Sequence, residues 1–260
     1  MNEHYNADKS AIKCIFCCMA PAEMSFSLRV LANPSEYPQY SNWAKLKFDS
    51  LSSNLKQEID FFNTRYQWYF ITDVVVHLMG EEETSVDNIN ILLERMNKID
   101  DITFAYIFLG FSAHNYGYDK LNEWISNPDI LMIEDMGPQG EYFQIEDVRY
   151  FLKNVNSIKN RIINLYKQYW TELFHKEWLS IREFEENAIR FQRIKYQHLG
   201  LIDYLNSLHN DLVIEDNLLS FKNNKAIQID MQKLKFIVIK PSIFVGVNAD
   251  FFLTQNAGEN

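Results

Sequence analysis

Apolar residues recur every three or four positions through the second half of the chain, which is the period of an amphipathic helix. This pattern is the clearest in the sequence, and it predicts two long helices with a break near residues 175–177. The apolar positions are Val148, Leu152, Val155, Ile158, Ile162, Leu165, Tyr169 and Leu173, followed by Trp178, Ile181, Phe184, Ala188, Phe191 and Ile194.

The first part of the chain contains shorter apolar segments. A β-prone run over residues 12–18 predicts a strand. Pro21 then opens a helix, which ends before Asn33-Pro34 because the residue preceding a proline disfavours helical dihedrals. Residues 41–79 predict several helical pieces. The last of them, over residues 66–79, is apolar around most of its circumference and is expected to be buried.

Capping and turn residues set the remaining boundaries of the predicted helices and domain. Ser85 is placed to cap a helix, and residues 118–126 predict another. The Gly-Pro-Gln-Gly sequence at 137–140 is a candidate subdomain break. We otherwise expect a single domain over residues 11–260, preceded by a disordered polar tail at 1–10.

The period changes after Gly200, where a short helix over residues 201–208 gives way to β-prone runs separated by turn residues. The predicted strands are centred on Leu212–Ile214, Leu218–Phe221, Ala226–Ile229 and Phe236–Ile239. We expect these strands to pair with the N-terminal strand in one small, mainly antiparallel sheet. The predicted fold class is therefore α+β, mostly helical, with a bundle of long helices.

Composition narrows the class of protein. The 260 residues are 47% hydrophobic and 15% aromatic, enough to build a real core. A net charge of −10 without a lysine or arginine cluster argues against binding nucleic acid or anionic lipid directly. No apolar run reaches membrane-spanning length, and the first residues lack a leader pattern. We expect a cytoplasmic protein without a cofactor.

Three cysteines lie together at Cys14, Cys17 and Cys18. The C-x-x-C spacing could bring two sulfurs to one metal ion. The alternative is a buried strand in which cysteine acts as a small hydrophobic residue. No second pair of cysteines or histidines lies nearby in the sequence, so the three are only weak metal candidates.

Asp73 and His77 lie four residues apart on the apolar helix and so share one face. A buried carboxylate–imidazole pair can act as a general base, and it can equally be a structural hydrogen bond. The common catalytic motifs are absent from the sequence. We therefore expect no enzyme, and keep a small-molecule enzyme with a site around Asp73 and His77 as the alternative.

The aromatic surplus has two interpretations. The aromatic side chains could line a ligand cavity between helices, or they could simply fill the core. The residues predicted for a ligand pocket are Arg29, Trp68, Asp73, His77, Tyr106, Tyr169 and Trp170.

Several motifs resemble one family, the long-form ArsR-type winged-helix transcriptional regulators. The matching positions are Pro21, Glu23, residues 27–31, Asn33-Pro34, Tyr37-Pro38 and Trp43, then Tyr169, Trp170 and Phe174, and finally residues 236–247. The family often has histidine where Arg29 and Tyr37 stand here. The resemblance implies an N-terminal regulatory domain, and the three cysteines do not match the family's metal-binding pair.

In that family a winged helix follows the Pro-Ser segment, but this chain ends at Asn260. The resemblance therefore implies either a fragment or a shortened gene product without DNA-binding residues. We expect this chain to be a ligand-sensing or dimerising module of a repressor. The expected partners are a second copy of the chain in a homodimer and a possible small-molecule ligand, and DNA is reached only through the missing domain.

Overall fold

The computed structural model describes residues 12–80, 82–110, 117–222, 224–234 and 236–245. The predicted tail at 1–10 lies outside the described residues. The helices are α1 (Ala20–Ala32), α2 (Ser41–Ser50), α3 (Ser53–Arg65), α4 (Trp68–Met79), α5 (Asn90–Lys98), α6 (Asp101–Phe108), α7 (Tyr118–Ser126), α8 (Ile145–Lys153), α9 (Val155–Tyr169) and α10 (His175–Asn206). The strands are β1 (Lys13–Phe16), β2 (Leu212–Glu215), β3 (Leu218–Phe221), β4 (Asn224–Asp230) and β5 (Phe236–Ile239).

The first helix, α1, lies at the centre of the molecule. Its residues from Ala20 to Leu31 are all buried, because α2, α3 and α4 pack against it. Met24, Leu28 and Leu31 have the spacing of a single buried helix face, but the structure buries the other faces of α1 as well. Pro21 stands in the first turn, where a missing backbone N–H costs nothing.

The apolar helix predicted over residues 66–79 is α4, whose twelve residues lie against α1 and α6. Most of its side chains are buried, as its continuous hydrophobicity indicates. Within the described ranges, no helix combines the length and the apolar character that crossing a bilayer requires.

The fold class predicted from the sequence is confirmed, but the strands form two sheets instead of one. β1 pairs with β5 in parallel, with Cys14 opposite Ile237, whereas β2, β3 and β4 form a separate antiparallel sheet. A parallel pair needs a long crossover, and here the helical body connects the two strands. The β2–β3 hairpin turns through Asp216 and Asn217, both with positive φ, which favours antiparallel pairing.

Ser85 does not cap a helix, so that prediction was wrong. Its hydroxyl accepts a hydrogen bond from the backbone N–H of Cys18 at 3.0 Å. The next residue, Val86, exchanges backbone hydrogen bonds with Cys18 and Ala20 at 3.0 and 2.9 Å. This pairing holds the backbone extended, and α5 begins only at Asn90.

The predicted break near residues 175–177 was wrong, because the helix continues from α9 into α10 through a π-helical turn over Trp170–Phe174. The first predicted long helix is instead interrupted at Asn154, between α8 and α9. The fully buried residues Tyr169 and Phe174 lie five positions apart across this turn, instead of three or four. A π turn accommodates one additional residue without ending the helix. α10 also kinks at Gly200, whose φ of 74° is accessible to glycine.

Leu28→Ala is expected to lower the free energy of unfolding by about 2–5 kcal/mol, because the Leu28 side chain is fully buried in α1. Leu46→Ala is the matched control, since Leu46 on α2 is 71% exposed. We expect the control to change stability by less than about 0.5 kcal/mol. Urea unfolding followed by circular dichroism measures both, and equal losses would contradict the central position of α1.

Candidate functional site

α1 carries four polar side chains into the interior, namely Glu23, Ser25, Ser27 and Arg29. A polar group taken out of water needs a partner inside the protein. The partners of these residues therefore identify the places where α1 is bonded to the rest of the molecule.

Two of these contacts join α1 to α9. The hydroxyl oxygens of Ser25 and Tyr166 lie 2.9 Å apart, and those of Ser27 and Tyr169 also lie 2.9 Å apart. Ser25 also donates to Thr72 on α4 at 3.2 Å. Burial raises the pKa of both tyrosines well above the ordinary value, so each keeps its proton. These pairs fix helix packing.

The third contact involves Glu23, which is almost completely buried. Its Oε1 atom accepts a hydrogen bond from the backbone N–H of Ile243 at 2.9 Å, and Ser242 and the N–H of Phe244 also bond to the carboxyl. Burial raises the pKa of Glu23 to about 7, although these hydrogen bonds lower it. A carboxyl group in the core therefore titrates near neutrality.

A second buried carboxyl, Glu185, comes from α10 and is 1% exposed. Burial raises its pKa to about 9, and the nearby charge of Glu23 raises it further, whereas the Cys18 thiol lowers it. Neither oxygen of Glu185 has a partner with full hydrogen-bond geometry in the described part of the chain. We call Glu23 and Glu185 the carboxyl pair, which is the strongest candidate site.

Cys17 and Cys18 lie next to Glu185, and all three cysteines are neutral thiols. Burial raises the pKa of Cys14 to about 11 and that of Cys18 to about 12, and it also raises the pKa of Cys17. Metal binding needs the thiolate. In the described parts of the chain, no three His, Cys, Asp or Glu residues are grouped so that they could hold a metal ion. The carboxyl pair can therefore hold protons, and the described residues around it offer no metal cage.

The predicted ligand-pocket residues are distributed over several elements. Arg29 on α1 has its guanidinium 5.5 Å from the ring centre of Phe26 and 5.4 Å from that of Tyr37. Asp73 and His77 are half-buried on α4, the helix that packs against α1.

The aromatic candidates are engaged with neighbouring side chains. Trp68 is a core residue, as is Tyr169 with its bond to Ser27. Tyr106 stacks on Tyr118 with ring centres 4.4 Å apart. Trp170 lies in the π turn beside His175, at 5.3 Å.

A shallow surface groove of about 320 Å³ lies along α3. Its lining residues are Gln57, Asp60, Phe61, Thr64 and Arg65. The Arg161 guanidinium stands 3.6 Å from the centre of the Phe61 ring and covers that ring. The groove includes none of the predicted ligand residues.

α10 presents an apolar surface on its outer side. Phe184, Phe191 and Ile194 are 62%, 63% and 54% exposed, although the apolar pattern placed them on the buried stripe. Trp178 and Ile181 are buried as predicted, and the buried row of α10 then continues through Glu185 and Ile189, with Tyr204 and Leu205 buried near its end. We call Phe184, Asn187, Phe191 and Ile194 the outer face of α10.

Sequence reasoning missed the carboxyl pair. Glu185 lies between Ile181 and Ile189 at intervals of four, and an acidic residue in an apolar row was the available signal. Glu23 gave no such signal, because its burial depends on residues more than two hundred positions away.

Glu185→Gln is expected to reduce the dependence of stability on pH. The pKa of Glu185 is raised in the folded state, so this state binds the extra proton, and wild-type stability falls as pH rises from about 4.5 to about 9. Relative to the variant, the wild type should lose up to about 1.4 kcal/mol per pH unit. Unfolding at pH 6, 7 and 8 measures this difference.

The matched control is Glu183→Gln, which removes an exposed carboxyl from the same helix and should leave the wild-type slope unchanged. Parallel stability profiles for the wild type and Glu185→Gln would show that Glu185 ionises normally in the folded protein.

Comparisons with known proteins assign no family to this chain. No protein-family model, curated protein or solved structure matches it. The carboxyl pair and the outer face of α10 are therefore the features from which a function has to be derived.

Proposed function

We propose that the chain is a regulatory module that pairs with a second copy of itself through the outer face of α10. The observation that carries this proposal is the exposure of Phe184, Phe191 and Ile194 along one side of a long helix. Monomeric proteins seldom expose large apolar side chains in a contiguous row, and such rows mark interaction sites.

The spacing of the outer face fits a helix partner. Phe184, Asn187, Phe191 and Ile194 follow one another at intervals of three, four and three, which is the repeat of residues at a helix–helix seam. The four positions span eleven residues, or about 15 Å of helix. Asn187 at the centre is a polar seam residue of the kind that fixes register.

The flanking charges favour a second copy in the antiparallel direction. Glu183 and Arg190 lie on one side of the outer face, seven residues apart, and both are exposed. In an antiparallel pair, Glu183 of each copy meets Arg190 of the other, which gives two ion pairs related by the two-fold axis. A parallel pair would instead bring Arg190 next to Lys195 of the second copy, where like charges repel.

The motif resemblance supplies the biological setting of the proposal. We propose that the module regulates a cytoplasmic ArsR-type repressor and that DNA binding belongs to a winged helix outside this chain. The net charge of −10 supports this division, since a net negative charge disfavours binding to phosphates. A small-molecule ligand is the secondary proposal, because the aromatic candidates are engaged in core contacts.

Phe191→Glu is expected to weaken self-association at least about tenfold, because it places a charge in the apolar seam. Leu179→Glu is the matched control, since Leu179 is equally exposed on α10 but lies about 100° around the helix from the middle of the outer face. Sedimentation equilibrium over a range of concentrations measures both. A monomeric wild type, or equal effects of the two variants, would contradict pairing through the outer face.

A charge exchange tests the antiparallel direction. Glu183→Arg is expected to weaken the dimer by placing two arginines together, and adding Arg190→Glu to the same chain should restore the affinity. The restored affinity should agree with that of the wild type within about threefold. Additive weakening in the double variant would exclude the antiparallel pairing even if a dimer exists.

A further inference from the structure

Residues 241–245 are attached to the helical body chiefly through Glu23. Ser242, Ile243 and Phe244 all bond to its carboxyl group. The hydroxyl of Tyr40 donates to the carbonyl oxygen of Ile243. The Phe244 ring is buried, with its centre 4.7 Å from that of Trp43. Opening this segment would therefore expose the Glu23 carboxyl to water.

No lysine or arginine among the described residues is paired with Glu23 to compensate the charge that it acquires on ionisation. Within the described residues, neither member of the carboxyl pair forms an ion pair with lysine or arginine. Glu185 on α10 and Tyr40 are the titratable groups that sense Glu23 directly. The groups around Glu185 and its neighbouring thiols are Cys17, Cys18, Glu82, Glu186, Arg193 and Lys240.

We propose that Glu23 is a proton-controlled latch, which holds residues 241–245 on the helical body while it is protonated and releases them once it ionises. The proton passes to solvent, and no covalent bond changes. With residues 241–245 closed over it, Glu23 is 2% exposed and has no lysine or arginine partner among the described residues, so ionisation is costly until opening restores water to the carboxylate. The latch does not depend on the pairing of α10.

Proton linkage determines whether rising pH opens or closes residues 241–245. With residues 241–245 closed over it, Glu23 has a pKa of about 7, whereas a hydrated glutamate has one near 4.5. The closed state therefore holds the proton more tightly, and rising pH favours the open state. The ratio of open to closed molecules should rise up to about tenfold per pH unit between pH 5 and pH 7 and level off above pH 7.

Hydrogen exchange at the amides of Ile243 and Phe244 tests the latch. Selectively ¹⁵N-labelled full-length protein is measured from pH 5 to pH 8, and each rate is divided by its intrinsic value to give a protection factor. Protection in the wild type is expected to fall at least tenfold between pH 5 and pH 7. The amide of Phe26 in α1, a core helix, serves as the reference for global unfolding.

Glu23→Gln is the decisive variant, because glutamine keeps the shape and hydrogen-bonding groups of the protonated side chain. Its protection should remain high and independent of pH. Glu185→Gln should keep the pH-dependent fall, since Glu23 still titrates. Tyr40→Phe should reduce protection at every pH, because it removes only the bond to Ile243. Circular dichroism confirms that each variant is folded.

Three outcomes would overturn the latch. The first is wild-type protection that stays constant or increases with pH, which would mean that the carboxylate binds the segment as tightly as the acid does. The second is an unchanged pH dependence in Glu23→Gln. The third is a loss of the pH dependence of protection in Glu185→Gln but not in Glu23→Gln, which would assign the titration to Glu185.

Discussion

The complete enclosure of α1 is the constraint on which the rest of the structure depends. A helix without a solvent-facing side must find internal partners for each polar side chain it carries. Ser25 and Ser27 find them in the tyrosines of α9, and Glu23 finds them in backbone that lies more than two hundred residues away. The polar residues of one short helix therefore connect the middle of the chain and its C-terminal part to a single centre.

The same constraint explains why the core contains carboxyl groups whose pKa values are raised, so that they hold their protons to a higher pH than an exposed glutamate does. A buried carboxylate without a cation is expensive, and protonation is the less costly state. Glu185 reaches this environment from the inner side of α10, whereas Phe184 and Phe191 project from the outer side of that helix. α10 thus places an acidic residue inside and apolar residues outside, the reverse of the usual distribution in an isolated domain.

Local sequence signals predicted the helices and strands well, because the spacing of apolar residues and the positions of turn residues act over short distances. The strands β2 to β5 and the helices α1, α4 and α7 all occur where the apolar pattern placed them. The prediction that Ser85 caps a helix was wrong, because the backbone there pairs with Cys18 instead of starting a helix. The face that α10 buries was also misassigned in part: Trp178 and Ile181 are buried as the pattern predicted, but the buried row then continues through Glu185 and Ile189 instead of Phe184 and Phe191. The partners of Glu23 depend on tertiary packing that no local pattern contains.

The π turn over Trp170–Phe174 also sets the rotational phase of everything that follows it. One residue corresponds to about 100° of helix rotation. A single deletion in this turn, with the helix closing again into regular α geometry, would rotate α10 so that Phe184 and Phe191 no longer face outward. The number of residues in the π turn thus determines which side chains of α10 face solvent. An insertion or deletion in this turn would change that surface far more than a substitution would.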